Sequence, residues 1–232
     1  MTHITAAVKA ITPLNPFVSE VVLQPEQTVD YKPGQYLQVV MGAEDKRPFS
    51  IANAPTENQQ LQLHIGASEQ NPYAMEVMQR LQQNPTIEIE AGCGEAYYRD
   101  THHPVILLAG GTGYSFTRAI LQHIVKQPDM PKVSLYWGAK QLDDLYEHEQ
   151  LIALAKEHDN FSYHPVLEDG DNSWQFATGL VHEAVLANNP VFTDQRVYVA
   201  GRFEMARVVK QQFIKKGLKQ TQLFGDAFAF ID

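Results

Sequence analysis

Four residues in the first half of the chain, Arg47-Pro48-Phe49-Ser50, and four in the second, Gly110-Gly111-Thr112-Gly113, have types and spacings suited to chemistry. The glycines join the apolar run Val105–Ala109 to an amphipathic segment with helical spacing. Glycine lets the backbone come close to a ligand and take positive φ angles. A phosphate at such a place meets unpaired N–H groups and the positive end of a helix dipole. Thr112 and Ser115 add hydroxyl donors. The spacing is not the G-x-G-x-x-G fingerprint, and the same turn serves equally as a tight strand-to-helix connection with no ligand. Further on, Ala200-Gly201-Arg202 follows another strand-like run. Ligands of open parallel sheets bind beyond the carboxyl ends of the strands. Gly201 therefore belongs on the same rim, with Arg202 placed either for a phosphate or ribose or for solvent at a helix start.

The polar turn suits a redox-active ring. The Ser50 hydroxyl can donate to an oxidised ring nitrogen and accept from the N–H formed on reduction. Arg47 can offset negative charge on a reduced ring or a phosphate. Four residues alone also read as an ordinary strand start with an exposed arginine. His64-Ile65-Gly66 is similar, since Gly66 admits a close ring and His64 can line a slot or simply pack. The remaining histidines form no metal constellation: Glu147-His148-Glu149 lacks a second histidine one helical turn away, and His102-His103 cannot both point one way from a strand.

The elements that must hold these residues change character along the chain. Up to about Gly94 the signals are short and β-like: Phe17–Leu23, Tyr36–Met41, Leu61–Ile65 and Thr86–Glu90, with one helix carrying Tyr73, Val77, Met78 and Leu81 after Asn71-Pro72. Such a succession predicts an antiparallel barrel. From Pro104 apolar strands alternate with helices, at Val105–Ala109, Val133–Trp137, Tyr163–Leu167 and Arg196–Ala200, which predicts a parallel sheet covered on both faces. We expect the division at 99/100, giving domains 1–99 and 100–232.

The 232 residues are room for one large domain or two modest ones, with ample material for a core. A net charge of −9 argues against a nucleic-acid surface. Any nucleotide must then be held by local features. One cysteine, Cys93, excludes an internal disulfide and a cysteine-ligated iron–sulfur cluster. No apolar run approaches the ~20 residues of a membrane helix, and the first 25 residues lack the pattern of a signal peptide, so a cytoplasmic location is expected.

Taken together, these stretches resemble the ferredoxin–NADP reductase superfamily, and within it the small bacterial NAD(P)H:flavin oxidoreductases. The carriers include Pro33-Gly34-Gln35-Tyr36, Arg47–Ser50, Leu63–Ala67, Ala109–Gly113, Leu135-Tyr136-Trp137-Gly138, Ala200–Met205 and Gly225–Phe230. The resemblance implies a six-stranded antiparallel flavin-binding barrel followed by an α/β nucleotide-binding domain. It assigns Arg47, Pro48, Phe49 and Ser50 to the isoalloxazine, with His64, Ile65 and Gly66 beside it. Gly110 to Gly113, Ser115, Gly201 and Arg202 fall to the pyridine nucleotide, and Asp226 and Phe228 to the neighbourhood of the flavin. The implied reaction is hydride transfer from NADH or NADPH to N5 of free flavin (riboflavin, FMN or FAD). Reduced flavin would then serve a monooxygenase, a luciferase or a ferric chelate. The alternatives are a reductase component that keeps its flavin and passes electrons to a protein partner, and a non-catalytic nucleotide sensor. Departures from the superfamily are Ala200-Gly201-Arg202 in place of Cys-Gly-Pro, Phe49 in place of a frequent tyrosine, and no evident pyrophosphate cradle around Ala91–Gly94.

Overall fold

The computed structural model describes residues 3–69, 71–171 and 173–231. Strands β1 (Ile4–Pro13), β2 (Val18–Pro25), β3 (Tyr36–Val40), β4 (Lys46–Ser50), β5 (Leu61–Gly66) and β6 (Thr86–Cys93) form one antiparallel sheet in the order β4-β3-β6-β1-β2-β5. Their alternating apolar residues, among them Val21, Leu23, Leu37, Val39, Leu61, Leu63 and Ile89, are fully buried in a single core. Helix α1 (Pro72–Gln83) packs on this core, with Ala74, Val77, Met78 and Leu81 inward. It begins where the sequence predicts: the Asn71 side chain accepts from the Ala74 N–H and Pro72 fills the first turn. Tyr73, grouped with the apolar face by its spacing, instead stands half-exposed under the Arg47 guanidinium.

The second sheet is wholly parallel, in the order β10-β9-β8-β7-β11-β12. It comprises β7 (Val105–Gly110), β8 (Val133–Ala139), β9 (Phe161–Leu167), β10 (Ala177–Thr178), β11 (Arg196–Ala200) and β12 (Leu223–Phe224). Helices α2 (Tyr114–Ile124), α3 (His148–Glu157), α4 (Val181–Asn188) and α5 (Phe203–Lys215) cover it, and separate apolar clusters lie on the two faces. Val105–Ala109 is buried throughout, which is why this strand reads as a continuous apolar run rather than an alternation. In α5 the inward residues are Ala206, Val209 and Phe213, while Ile214 turns outward. Among the described residues no helix is long and apolar enough to cross a membrane.

Candidate functional site

A cleft of about 2650 Å³ runs between the antiparallel sheet and the carboxyl ends of the parallel strands. One wall is β4, with Pro48, Phe49 and Ser50 lining it and Ser50 paired to Tyr36 on β3. His64 and Gly66 enter from the end of β5. The other wall is the glycine turn, a short 3-10 segment at Gly111–Gly113 that leads into α2, joined by Ser115, Gly201 and Arg202. Asp226 and Phe228 close the slot from the segment after β12.

Of the residues singled out in the sequence, Arg47 and Ile65 do not line the cleft. Ile65 is buried in the barrel core. Arg47, expected to face a ligand charge, lies behind the wall. Its Nε and Nη2 donate to Asp45 at 2.9 and 2.7 Å, Nη2 also reaches Glu76 at 2.6 Å, and Nη1 donates to the Tyr73 carbonyl at 2.7 Å. The acidic loop before the turn satisfies the guanidinium locally, tying β4 to α1.

The glycines of the turn have separate reasons to be glycine. Gly111 has φ +53° and open space where a Cβ would stand. Gly113 has an ordinary helical φ, but a Cβ there would run into the Ala200 carbonyl oxygen at the end of β11. Gly110 and Gly201 approach each other with Met205 packed over both. The turn is pressed against the next strand while one face stays open to the cleft.

Two polar atoms on the cleft wall, Ser115 Oγ and His64 Nε2, are buried with no hydrogen-bond partner among the described residues. Buried polar groups are normally satisfied; the Ser115 hydroxyl stands beside the glycine turn, whereas His64 Nε2 faces Glu20. His64 is otherwise held firmly, with Nδ1 3.0 Å from the Tyr146 hydroxyl and Nε2 3.8 Å from Glu20. The rim is apolar: Phe17, Met75, Leu180, Phe203 and Phe230 line it and are each between 44% and 77% exposed. Flat rings and a dinucleotide fit this combination of open glycine turn, unsatisfied polar atoms and uncovered apolar rim. Burial raises the Asp226 carboxyl to about 6, with Glu95 adding to the rise and an Ala96 backbone hydrogen bond opposing it.

Sequence reasoning did not find the residues that join the two walls. Tyr114, Trp137, Tyr146 and Glu147 form an aromatic and acidic cluster beneath the turn, and Arg118 links it to the antiparallel sheet. No local spacing announces them, because their hydrogen-bond partners are 26 to 82 residues away.

The family model for the oxidoreductase NAD-binding domain matches residues 107–211, which hold the glycine turn and β11. Among solved structures, a cytochrome P450 reductase from Amycolatopsis superposes with a TM-score of 0.86 at 22% identity, covering 97% of this chain and 69% of that one, a likeness of fold. The NAD(P)H-flavin reductase of Aliivibrio fischeri is 44% identical, covering 98% of this chain and 99% of that protein. The protein of the same description from Vibrio harveyi is 42% identical with the same coverage. Such identity takes in both walls of the cleft, and the chain belongs to the NAD(P)H-flavin reductase family.

Proposed function

We propose that this protein reduces free flavin with NADH or NADPH, holding both in the single cleft between its two sheets. The observation that carries the reading is the opposition of Ser50 and the glycine turn across that cleft, in a chain 44% identical to a flavin reductase. When bound, the nicotinamide supplies a hydride from C4 and the flavin accepts it at N5.

The chain's own residues bind and orient. Pro48, Phe49 and Ser50 offer the flavin a wall from β4, with Gly66 leaving room at the end of β5 and Asp226 and Phe228 completing the slot. The Ser50 hydroxyl tunes N5, donating to it in one redox state and accepting from it in the other. Gly110 to Gly113 present backbone N–H groups at the start of α2 to the nucleotide, with the orphaned Ser115 hydroxyl as a further donor. Gly201 and Arg202 extend that face. Arg47 supports β4 from behind, and Ile65 packs in the barrel core. Stacking two rings ~3–3.5 Å apart supplies most of the rate enhancement, so no protein acid is required for the hydride step.

The division between the two binding halves falls at 99/100 in this reading. Reduced flavin leaves for a monooxygenase, a luciferase or a ferric chelate, and a cytoplasmic site of action fits the supply of NAD(P)H. The test is oxidation of NADH and NADPH by desalted protein with and without added riboflavin or FMN. Saturable activity that appears only with free flavin is the expected result. A tightly bound yellow cofactor and activity toward artificial acceptors alone would overturn it in favour of a flavoprotein that serves a protein partner.

A further inference from the structure

Arg118 lies on α2, one turn into the helix that the glycine turn begins. Its Nε donates to both oxygens of Glu147, at 2.9 and 3.0 Å. Its Nη1 crosses to the antiparallel sheet, donating to the Ala52 carbonyl and to Gln62 Oε1, each at 2.9 Å. Both charged side chains are largely buried, 14% and 19% exposed. Ala52 is two residues beyond Ser50. One helical turn further along α2, Gln122 Oε1 accepts from the Ala54 N–H at 3.1 Å. Two successive turns of α2 therefore grip the segment that leaves the flavin wall.

The same ion pair reaches the nucleotide wall. Glu147 Oε2 accepts from the Tyr114 hydroxyl at 2.6 Å. The Tyr114 ring stacks on Trp137 at 3.9 Å with 12° between planes. Trp137 Nε1 donates to the Gly111 carbonyl at 2.9 Å. An unbroken series of contacts thus joins Gly111 to Ala52 through one guanidinium. Its planar fork fixes orientation as well as distance, which a single ammonium cannot do.

We propose that Arg118 is a positioning residue whose bonds to Glu147 on one side and to Ala52 and Gln62 on the other set the spacing between the two cleft walls, and hence between the reacting rings. This rests on the reading of the cleft as the flavin–nicotinamide site. Arg118 touches neither ligand-facing surface, so its loss acts on geometry rather than on binding. A misplacement of about 1 Å costs hydride transfer on the order of a hundredfold.

The experiment compares wild type, Arg118→Met and Gln62→Met. Melting temperature reports folding, fluorescence titration gives Kd for FMN and for NADP+ separately, and stopped-flow bleaching of FMN by NADPH gives the single-turnover rate. Gln62→Met removes one of the two acceptors that Arg118 Nη1 reaches on the barrel side and leaves the Ala52 carbonyl and the Arg118–Glu147 pair in place, so it decides the matter if Arg118→Met does not fold. For folded variants we expect both Kd values within about threefold of wild type, with the hydride-transfer rate down about tenfold or more in Arg118→Met and about threefold in Gln62→Met. A primary deuterium isotope effect from 4-deuterated NADPH rises in step. Folded variants with the wild-type rate, or losses matched by equal losses in both Kd values, overturn the proposal. Wild type that reduces no flavin would instead overturn the function on which it rests.

Discussion

Gly66 and Thr112 meet where the two walls of the cleft converge: a Cβ on Gly66 would stand 3.0 Å from Thr112 Cγ2. The end of a barrel strand thereby limits how far the glycine turn can lean inward. Gly66→Ala is expected to push the turn back by a few tenths of an ångström, lowering kcat/KM for NADPH about threefold to tenfold with little change in stability. Thr112→Ser removes the offending methyl, so the double variant should recover most of the loss. A double variant no better than Gly66→Ala would show that this contact does not set the turn's position.

Ser50→Ala tests the role proposed for its hydroxyl at the flavin ring. Removing one hydrogen bond to the reacting nitrogen should lower turnover about tenfold, at ~1.4 kcal/mol per decade. Ser50 is only partly buried at the end of β4, so the melting temperature should barely move. Wild-type turnover in steady-state assays with riboflavin would sink the assigned role.

The neighbouring glycines Gly111 and Gly113 should respond differently to alanine. At Gly111 the cost is the left-handed φ, about 1–2 kcal/mol, with a new methyl projecting into open space. The main effect is a raised KM for the nucleotide. At Gly113 the methyl meets the backbone of Ala200, which cannot rotate away. Overpacking of this kind costs about 1–3 kcal/mol, and shifts the whole turn. Thermal melts should rank wild type above Gly111→Ala above Gly113→Ala.

Asp226 gives a pH signature. Its folded pKa of about 6 exceeds the ordinary 3.8, so the folded state holds a proton that the unfolded chain releases. The stabilising contribution is complete below about pH 4 and is lost as pH rises through 6. Allowing for partial exposure, the loss is about 1–2 kcal/mol. Asp226→Asn abolishes the titration. Urea melts at pH 4.5 and 7.5 should therefore show wild type losing ground to the variant as pH rises. A constant difference would mean that the carboxyl titrates normally.

Much of this architecture is visible in the sequence because its signals are local. The continuous apolar stretch at Val105–Ala109, the glycines after it and the Asn71-Pro72 start of α1 each depend on neighbours a few residues away. The shift from alternation to apolar runs near Pro104 marks where an antiparallel sheet gives way to a parallel one. The inner scaffold of the site is different. Arg118 looks like any surface arginine on an amphipathic helix until its partners are seen on β5, after β4 and before α3. Arg47 shows the reverse: it sits inside a recognisable turn, yet Asp45 and Glu76 claim its charge. Motif position fixes the backbone path through the turn, whereas side-chain direction depends on acids elsewhere that compete for the guanidinium.

The segment Gly225–Phe230 follows the last parallel strand yet lies against the first sheet: Asp226 abuts Gly94, where a Cβ would come within 2.8 Å of both Asp226 Oδ1 and the Tyr36 ring. A growing chain emerges from the ribosome in the opposite order, with the barrel far ahead of the piece that finishes its slot. The cleft that this segment closes is therefore complete only once the α/β half has been made and has docked against the barrel.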